Sequence, residues 1–266
     1  MGFQGGIFDV DGVLVDSPHY RAWGEALREL MDNEWAGIRD RTKYSPDRFT
    51  ESVYQQVLAG LPRLAGARAA LEYFGVPDAD SRAERYASVK QEHMTRLIRS
   101  GQFEAFDDGL RLVLAVKTAG IRVAAASSSK NADLLMDHVR LDTFAAQQHL
   151  DNPLVRPGLT LLGLLDADVS GRDLPRGKPD PLIFLTAVEE LDADSSRCFV
   201  VEDAASGVQA AKAGGMAALG VARLGDEDVL LSARADLVVT TLDDVSREAL
   251  ADGRLEQSPA QHADGP

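Results

Sequence analysis

Cysteine is almost absent. Only Cys198 carries a thiol in 266 residues, which excludes a disulfide within the chain and fits a cytoplasmic location. It stands in the apolar run Cys198-Phe199-Val200-Val201, as a small buried residue would. Histidine is scarce as well. The five, at positions 19, 93, 138, 149 and 262, lack metal-ligand spacing, which argues against a zinc site. No apolar run approaches the length of a membrane span. Residues 1–6 hold no basic region followed by an apolar stretch, so no signal peptide is predicted. Positive charge is outnumbered: 28 Lys and Arg against 42 Asp and Glu leave a net charge of −14 and a pI near 4.8. DNA or an acidic membrane surface would be repelled by such a chain, so no nucleic acid and no membrane is expected as a partner.

What is present looks like an ordinary soluble protein, with 45% hydrophobic and 26% charged residues. The length allows one large α/β domain, or a domain plus a smaller one. The most informative stretch is Gly6-Ile7-Phe8-Asp9-Val10-Asp11-Gly12. Ile7 and Phe8 read as the end of a buried strand, and the two acids follow at i and i+2. Carboxylates at the carboxyl end of a strand lie where open α/β sheets bind ligands. Asp9 and Asp11 then share one small volume, and their repulsion calls for a cation, a shared proton or a nearby Lys. Asp-Gly alone reads equally well as a turn.

Beyond Ser17, Tyr20, Trp23, Leu27 and Leu30 recur at helical spacing. Residues 33–48 read as a loop. Thr50 reads as an N-cap for a helix with Val53, Tyr54, Val57 and Leu58. A third helix carries Ala67, Ala70, Leu71 and Phe74 and stops at Gly75. Ser81-x-x-Glu84 reads as a capping box opening a long helix with Tyr86, Val89, His93 and Leu97 on one face. This block holds no strand. From Asp107 the pattern becomes strand, loop and helix in repetition. Strands are expected at 121–126, 198–201, 217–221 and 236–239, with a short one at 166–169. Asp180 reads as the cap of a helix with Pro181 at its first position. The pattern predicts right-handed βαβ units and a mostly parallel sheet covered on both faces. Residues 251–266 read as a disordered tail.

Four strand ends offer polar groups: Asp9 and Asp11, then Ser127, then Lys178 in Gly177-Lys178-Pro179, then Glu202-Asp203. In a parallel sheet all carboxyl ends lie on one edge, so these groups can converge. Each also has a plainer reading. Lys178 can be a solvated loop charge, Glu202-Asp203 a helix cap, and Ser127 to Ser129 an N-cap run.

In this order the four pieces match the motifs of the haloacid dehalogenase-like phosphotransferases, which the chain resembles over nearly all of residues 5–240. The β-phosphoglucomutase-like branch is the closer likeness, through Ala126-Ser127-Ser128-Ser129-Lys130-Asn131 and Glu202-Asp203-Ala204-Ala205-Ser206-Gly207. The resemblance implies an α/β fold: a Rossmann-like parallel-sheet core (1–17 and 104–250) with an all-helical cap (18–103) inserted after the first strand. It implies a Mg²⁺-dependent phosphatase or phosphotransferase acting on a small phosphorylated metabolite, such as a sugar phosphate. Asp9 would take the phosphoryl group as an aspartyl phosphate, and Asp11 would protonate the leaving oxygen and then activate the incoming hydroxyl. Ser127 and neighbouring N–H groups, at a helix start, would hold phosphoryl oxygens, and Lys178 would neutralise Asp9. Asp9, the Asp11 carbonyl and Asp203 would supply oxygens to Mg²⁺, with Glu202 touching the ion or lying just behind it.

The same likeness points to Arg63, Ser129, Lys130 and Asn131, with Ser128, for a distal phosphate, and to His19 beside the start of the cap. Arg63 reads equally as a surface Arg after a helix-breaking Pro, and His19 as an exposed residue near a helix start. Three departures bear on mutase activity: a shorter stretch between Asp16 and Trp23, Ala59 and Leu61 where a Lys is usual, and a longer linker at 147–177. Retention of Asp11, Lys178 and Asp203 speaks against a true dehalogenase. Two rivals stand beside the phosphatase: a β-phosphoglucomutase, and a non-catalytic protein that only binds phosphate esters. A monomer or small homo-oligomer is expected.

Overall fold

Gly5–Phe8 forms β1, and every residue in it is buried. The remaining strands are β2 (Val15–Asp16), β3 (Glu104–Ala105), β4 (Arg122–Ala125), β5 (Ala167–Asp168), β6 (Cys198–Glu202), β7 (Ala217–Val221) and β8 (Leu237–Val239). This is a computed structural model, and it describes residues 2–58 and 61–259. The expectation at Ala59 and the end of the proposed tail, 260–266, lie outside the described residues.

The chain divides into two compact units, Met1–Ser17 with Glu104–Pro266, and Pro18–Phe103. In the first, six strands form one sheet in the order β5-β4-β1-β6-β7-β8, and every neighbouring pair is parallel. The buried apolar runs of β1, β4 and β6 are what a sheet covered on both faces requires. Ile7, Ala124 and Val200 pack with Phe184, Ala187 and Val208, while Phe199 meets Phe8 and Phe3 with ring centroids 6.2 and 5.0 Å away.

Register positions the site. Phe8 pairs with Ala125 on one side and Val201 on the other, so β1, β4 and β6 end level. Asp9 N–H donates to Val201 O at 3.0 Å, and Ala126 N–H donates to Phe8 O at 2.9 Å. From β1 the chain passes to β4 and β5 on one side, then returns to β6, β7 and β8 on the other. In open α/β sheets such a reversal is the place where ligands bind, beyond the carboxyl ends of the strands.

Two short features escape a sequence reading. β2 and β3 pair antiparallel, Val15 with Ala105 and Asp16 with Glu104, at the two points where the chain leaves and re-enters this unit. Two-residue strands are too brief for an alternation to register. The second is a correction to the expected tail. Val245 bridges Gln257, Ser246 N–H donates to Glu256 O at 2.9 Å, and Ser258 N–H donates to Asp244 O at 2.6 Å. Backbone pairing therefore orders the chain beyond 251.

Among its described residues the second unit contains only helices: His19–Asp32, Glu51–Val57, Arg63–Tyr73, Ala79–Arg99 and two 3₁₀ turns. Those turns, Ala36–Arg41 and Pro46–Arg48, occupy the expected loop. Trp23, Leu27, Leu71, Phe74, Tyr86 and Val89 share its core, and the buried Tyr86 hydroxyl donates to Trp23 O at 2.9 Å. Thr50 caps its helix by accepting from Val53 N–H. Gly75 ends the third helix at φ 63°. The expected capping box does not form. The long helix starts at Ala79, after Asp78 at φ 54°, so Ser81 already lies inside it and its hydroxyl donates back to Asp78 O. Among the described residues no helix is long and apolar enough to cross a membrane.

Candidate active site

Asp9 follows β1 directly, and its side chain is almost wholly buried. Lys178 reaches it from the loop before the helix Leu182–Glu190. The ammonium donates to Asp9 Oδ1 at 2.5 Å, to Glu202 Oε1 at 2.5 Å and to Ala126 O at 3.3 Å. It also lies 4.9 Å from the Phe184 ring centroid. Three adjacent strand ends, those of β1, β4 and β6, are thus tied by one cation. Asp180 accepts from Leu182 N–H at 3.0 Å, which fixes the end of that loop. The helix N-cap itself is Pro181, one residue later than the sequence suggests.

Two glycines shape the carboxylates. Gly12 has φ +81°, and a Cβ there would lie 1.9 Å from Asp203 Oδ2. A Cβ on Gly207 would lie 1.8 Å from Glu202 Oε1. The bare backbone at each position leaves room for an acid side chain, and Ala204 N–H adds a donor to Glu202 Oε2 at 3.2 Å. Gly207→Ala must therefore displace Glu202. A fall in turnover of about tenfold or more is expected, since a small misplacement of reacting groups is costly. Steady-state kinetics at saturating substrate check it, and an unchanged rate would show that Glu202 tolerates displacement.

Carboxylate oxygens of Asp9, Glu202 and Asp203 lie within 4.8 Å of one another. These acids outnumber the ammonium that balances them. Burial pushes the Asp9 carboxyl well above the usual carboxylate range, Lys178 pulls it down, and Glu202 and Asp203 add to the rise. Asp203 is pushed up to about 7, by burial first and then by Glu202, with Asp11 adding to it. Burial would lower the pKa of Lys178, but Asp9 and Glu202 outweigh it and hold the ammonium above its ordinary value. Burial raises the two acids, and the excess of negative charge adds to that rise and holds the ammonium. A set of hard oxygen donors with that excess fits a divalent cation such as Mg²⁺.

Asp11 lies in a tight loop. Leu14 and Val15 N–H groups both donate to Val10 O, at 3.0 and 2.9 Å, and Gly12 N–H donates to Val15 O at 2.9 Å. Ser127 is buried just past β4. The expectation that it sits at a helix start is corrected: the helix is Ala132–His138. Hydroxyls occupy the backbone in between. Ser129 N–H donates to Ser127 Oγ at 3.1 Å, and Asn131 N–H donates to Ser129 Oγ at 3.3 Å. Such local side-chain bonds compete with helix formation. Ser128 is exposed, Asn131 is buried at the helix N-cap, and the Lys130 ammonium is paired with Asp173 at 2.5 Å.

His19 and Arg63 belong to the helical unit. His19 Nδ1 is 2.9 Å from the Lys90 ammonium, and Arg63 donates to Gln91 Oε1 at 3.0 Å. Sequence reading missed Lys90, which is only 3% exposed and lies 5.3 Å from the Trp23 ring centroid. The signal was its place four residues after Tyr86 and three before His93, on the apolar face of that helix.

Comparison with known proteins agrees with this architecture. The family model described as haloacid dehalogenase-like hydrolase matches residues 5–215. The β-phosphoglucomutase of Bacillus subtilis is 31% identical over 254 residues, 92% of each chain. The validoxylamine A 7'-phosphate phosphatase of Streptomyces hygroscopicus subsp. limoneus is 39% identical over 243 residues, 90% of this chain and 94% of that one. The structure of an archaeal β-phosphoglucomutase from Pyrococcus sp. strain ST 04 superposes with TM-score 0.65 at 26% identity, over 94% of this chain and 97% of that one. The protein is an enzyme, a phosphatase or a phosphomutase, and it belongs to the haloacid dehalogenase-like hydrolase family.

Proposed function

We propose that this enzyme is a Mg²⁺-dependent phosphatase that hydrolyses a small sugar phosphate through an aspartyl phosphate on Asp9. The observation that carries the reading is the Lys178 ammonium held between Asp9 and Glu202, with Asp203 beside them. Asp9 Oδ attacks phosphorus and the ester oxygen leaves, which divides one hard displacement into two easier ones. Asp11 gives its proton to that leaving oxygen, then takes one from the water that attacks the acyl phosphate. Lys178 stays protonated and offsets charge on Asp9 and on the transferring group. Ser127 and the N–H groups after it hold phosphoryl oxygens. Asp9, the Asp11 carbonyl and Asp203 would hold Mg²⁺, with Glu202 beside them. When bound, the ion supplies positive charge to the phosphoryl oxygens.

The 39% identity to a phosphatase supports hydrolysis, while the relative at 31% is a β-phosphoglucomutase, so the identity of the product separates the two. The deciding assay incubates the enzyme and Mg²⁺ with sugar phosphates, including β-glucose 1-phosphate with a trace of the 1,6-bisphosphate. Free phosphate is the expected product, and EDTA should abolish it. Glucose 6-phosphate without phosphate release would establish the mutase. No turnover of any of these esters would overturn the choice of a small sugar phosphate as substrate.

Metal binding also has a pH signature. With its folded pKa raised from 3.8 to about 7, Asp203 contributes stability that is present below its unfolded pKa and is lost as pH rises through about 7. In EDTA the thermal midpoint should therefore fall as pH rises across this window. Mg²⁺ competes with the proton, so its stabilising effect should grow over the same range. An equal Mg²⁺ effect at both ends would remove Asp203 from the ion's ligands.

A further inference from the structure

We propose that Arg223, held by Asp108, is a positioning residue that fixes the backbone carrying Asp11. The inference rests on the reading of Asp11 as the proton donor and acceptor. Arg223 lies two residues beyond β7, far in sequence from the Asp9 to Leu14 loop. Its Nε donates to Gly12 O at 3.1 Å and its Nη2 to Val13 O at 3.4 Å. The other side of the guanidinium meets Asp108 in a two-bonded fork, Nη1 to Oδ2 at 2.7 Å and Nη2 to Oδ1 at 2.9 Å. Its central carbon lies 4.1 Å from the Phe106 ring centroid.

Asp108 is itself anchored. Oδ2 accepts from Thr241 Oγ1 at 3.0 Å and Leu242 N–H at 2.8 Å, and Oδ1 accepts from Gly109 N–H at 2.8 Å. Burial raises its carboxyl, but Arg223 and the Leu242 amide outweigh that and hold it below the usual range. The fork is therefore charged on both sides wherever a phosphatase works. Gly109 lets the same helix start press on the loop, since a Cβ there would lie 2.4 Å from Val13 O. Phe106 N–H donates to Leu14 O at 3.0 Å. Two separate segments, around 106–109 and 223, thus converge on residues 12–14, and a third, 241–242, holds Asp108.

The loop's own hydrogen bonds use the carbonyls of Val10 and Val15. The carbonyls of Gly12 and Val13 are the groups that Arg223 takes. A glycine at φ +81° does not fix its own conformation, so the loop needs an outside hold to aim Asp11. A planar fork with donors on several edges can grip one carboxylate and two carbonyls together. Lys cannot, although it keeps the charge.

The test is a double-mutant cycle on hydrolysis of a phosphomonoester with saturating Mg²⁺. Arg223→Lys should lower kcat by about 10- to 100-fold, the range for a reacting group misplaced by an ångström, with KM nearly unchanged. In an Asp11→Asn background the same change should cost less than about twofold, because residues acting through one another are not additive. Asp108→Asn should repeat the pattern and serves if Arg223→Lys fails to fold. Equal losses in both backgrounds, or a loss confined to KM, would overturn the positioning role. A wild-type rate for Asp11→Asn alone would instead overturn the reading of Asp11.

Discussion

Asp9→Asn should abolish phosphate release, by about 10³-fold or more, which is roughly 4 kcal/mol of lost transition-state stabilisation. The amide keeps the volume of the carboxylate and can still accept from Lys178, but it is no nucleophile toward phosphorus. The fold should survive. Glu202 still pairs with the ammonium at 2.5 Å, and Asp9 stands among buried acids that repel it. Removing one negative charge from an over-charged cluster relieves that repulsion. In EDTA the variant's thermal midpoint should equal or exceed that of the native enzyme. A variant that is inactive because it unfolds would not meet this expectation, and one that keeps native turnover would show that another group takes the phosphoryl.

Lys178→Met tests the opposite side of the same balance. Its side chain is 11% exposed, and its ammonium is bonded to both Asp9 and Glu202. Removing one partner of a buried ion pair costs roughly 3–5 kcal/mol, because the remaining charge has neither water nor a counter-ion. For a chain of this size that is a fall of roughly 6–20 °C in the metal-free thermal midpoint. The loss should shrink at low pH, where the carboxylates can take protons, and Mg²⁺ should restore part of it. Turnover should fall by about 10²–10³-fold even with Mg²⁺, since the charge beside the transferring group is gone. An unchanged midpoint at neutral pH in EDTA would mean that the acids are already neutral without Lys178.

What could be read from the chain follows from how parallel sheets are built. Cys198 to Val201 is apolar throughout, so it reads as a covered strand, and Glu202 then falls at its carboxyl end. Ile7-Phe8 before Asp9 gives the same inference for β1. Lys178 could be brought to Asp9 from its loop by the convergence of strand ends and the family resemblance; its bond to Glu202 depends on β1 and β6 ending level, which is a property of register. Gly207 looked like ordinary helix composition, because the need for a bare backbone comes from Glu202 folding back over it. Arg223 and Asp108 belong to no motif. They stand 115 positions apart, and only the folded chain pairs them. The serine run misled because Ser127 and Ser129 bond to backbone N–H groups and so delay the helix to Ala132. The capping box misled because Asp78 turns the chain a few residues earlier.

The most direct test of Asp9 as the phosphoryl acceptor is to mix enzyme, Mg²⁺ and a phosphomonoester, quench with acid during turnover, and map the phosphoryl group by peptide mass spectrometry. The expected result is a phosphorylated peptide containing Asp9 that appears within one turnover and is missing from Asp9→Asn. Turnover with the phosphoryl group on a different residue, or with Asp9 unmodified at every quench time, would contradict it.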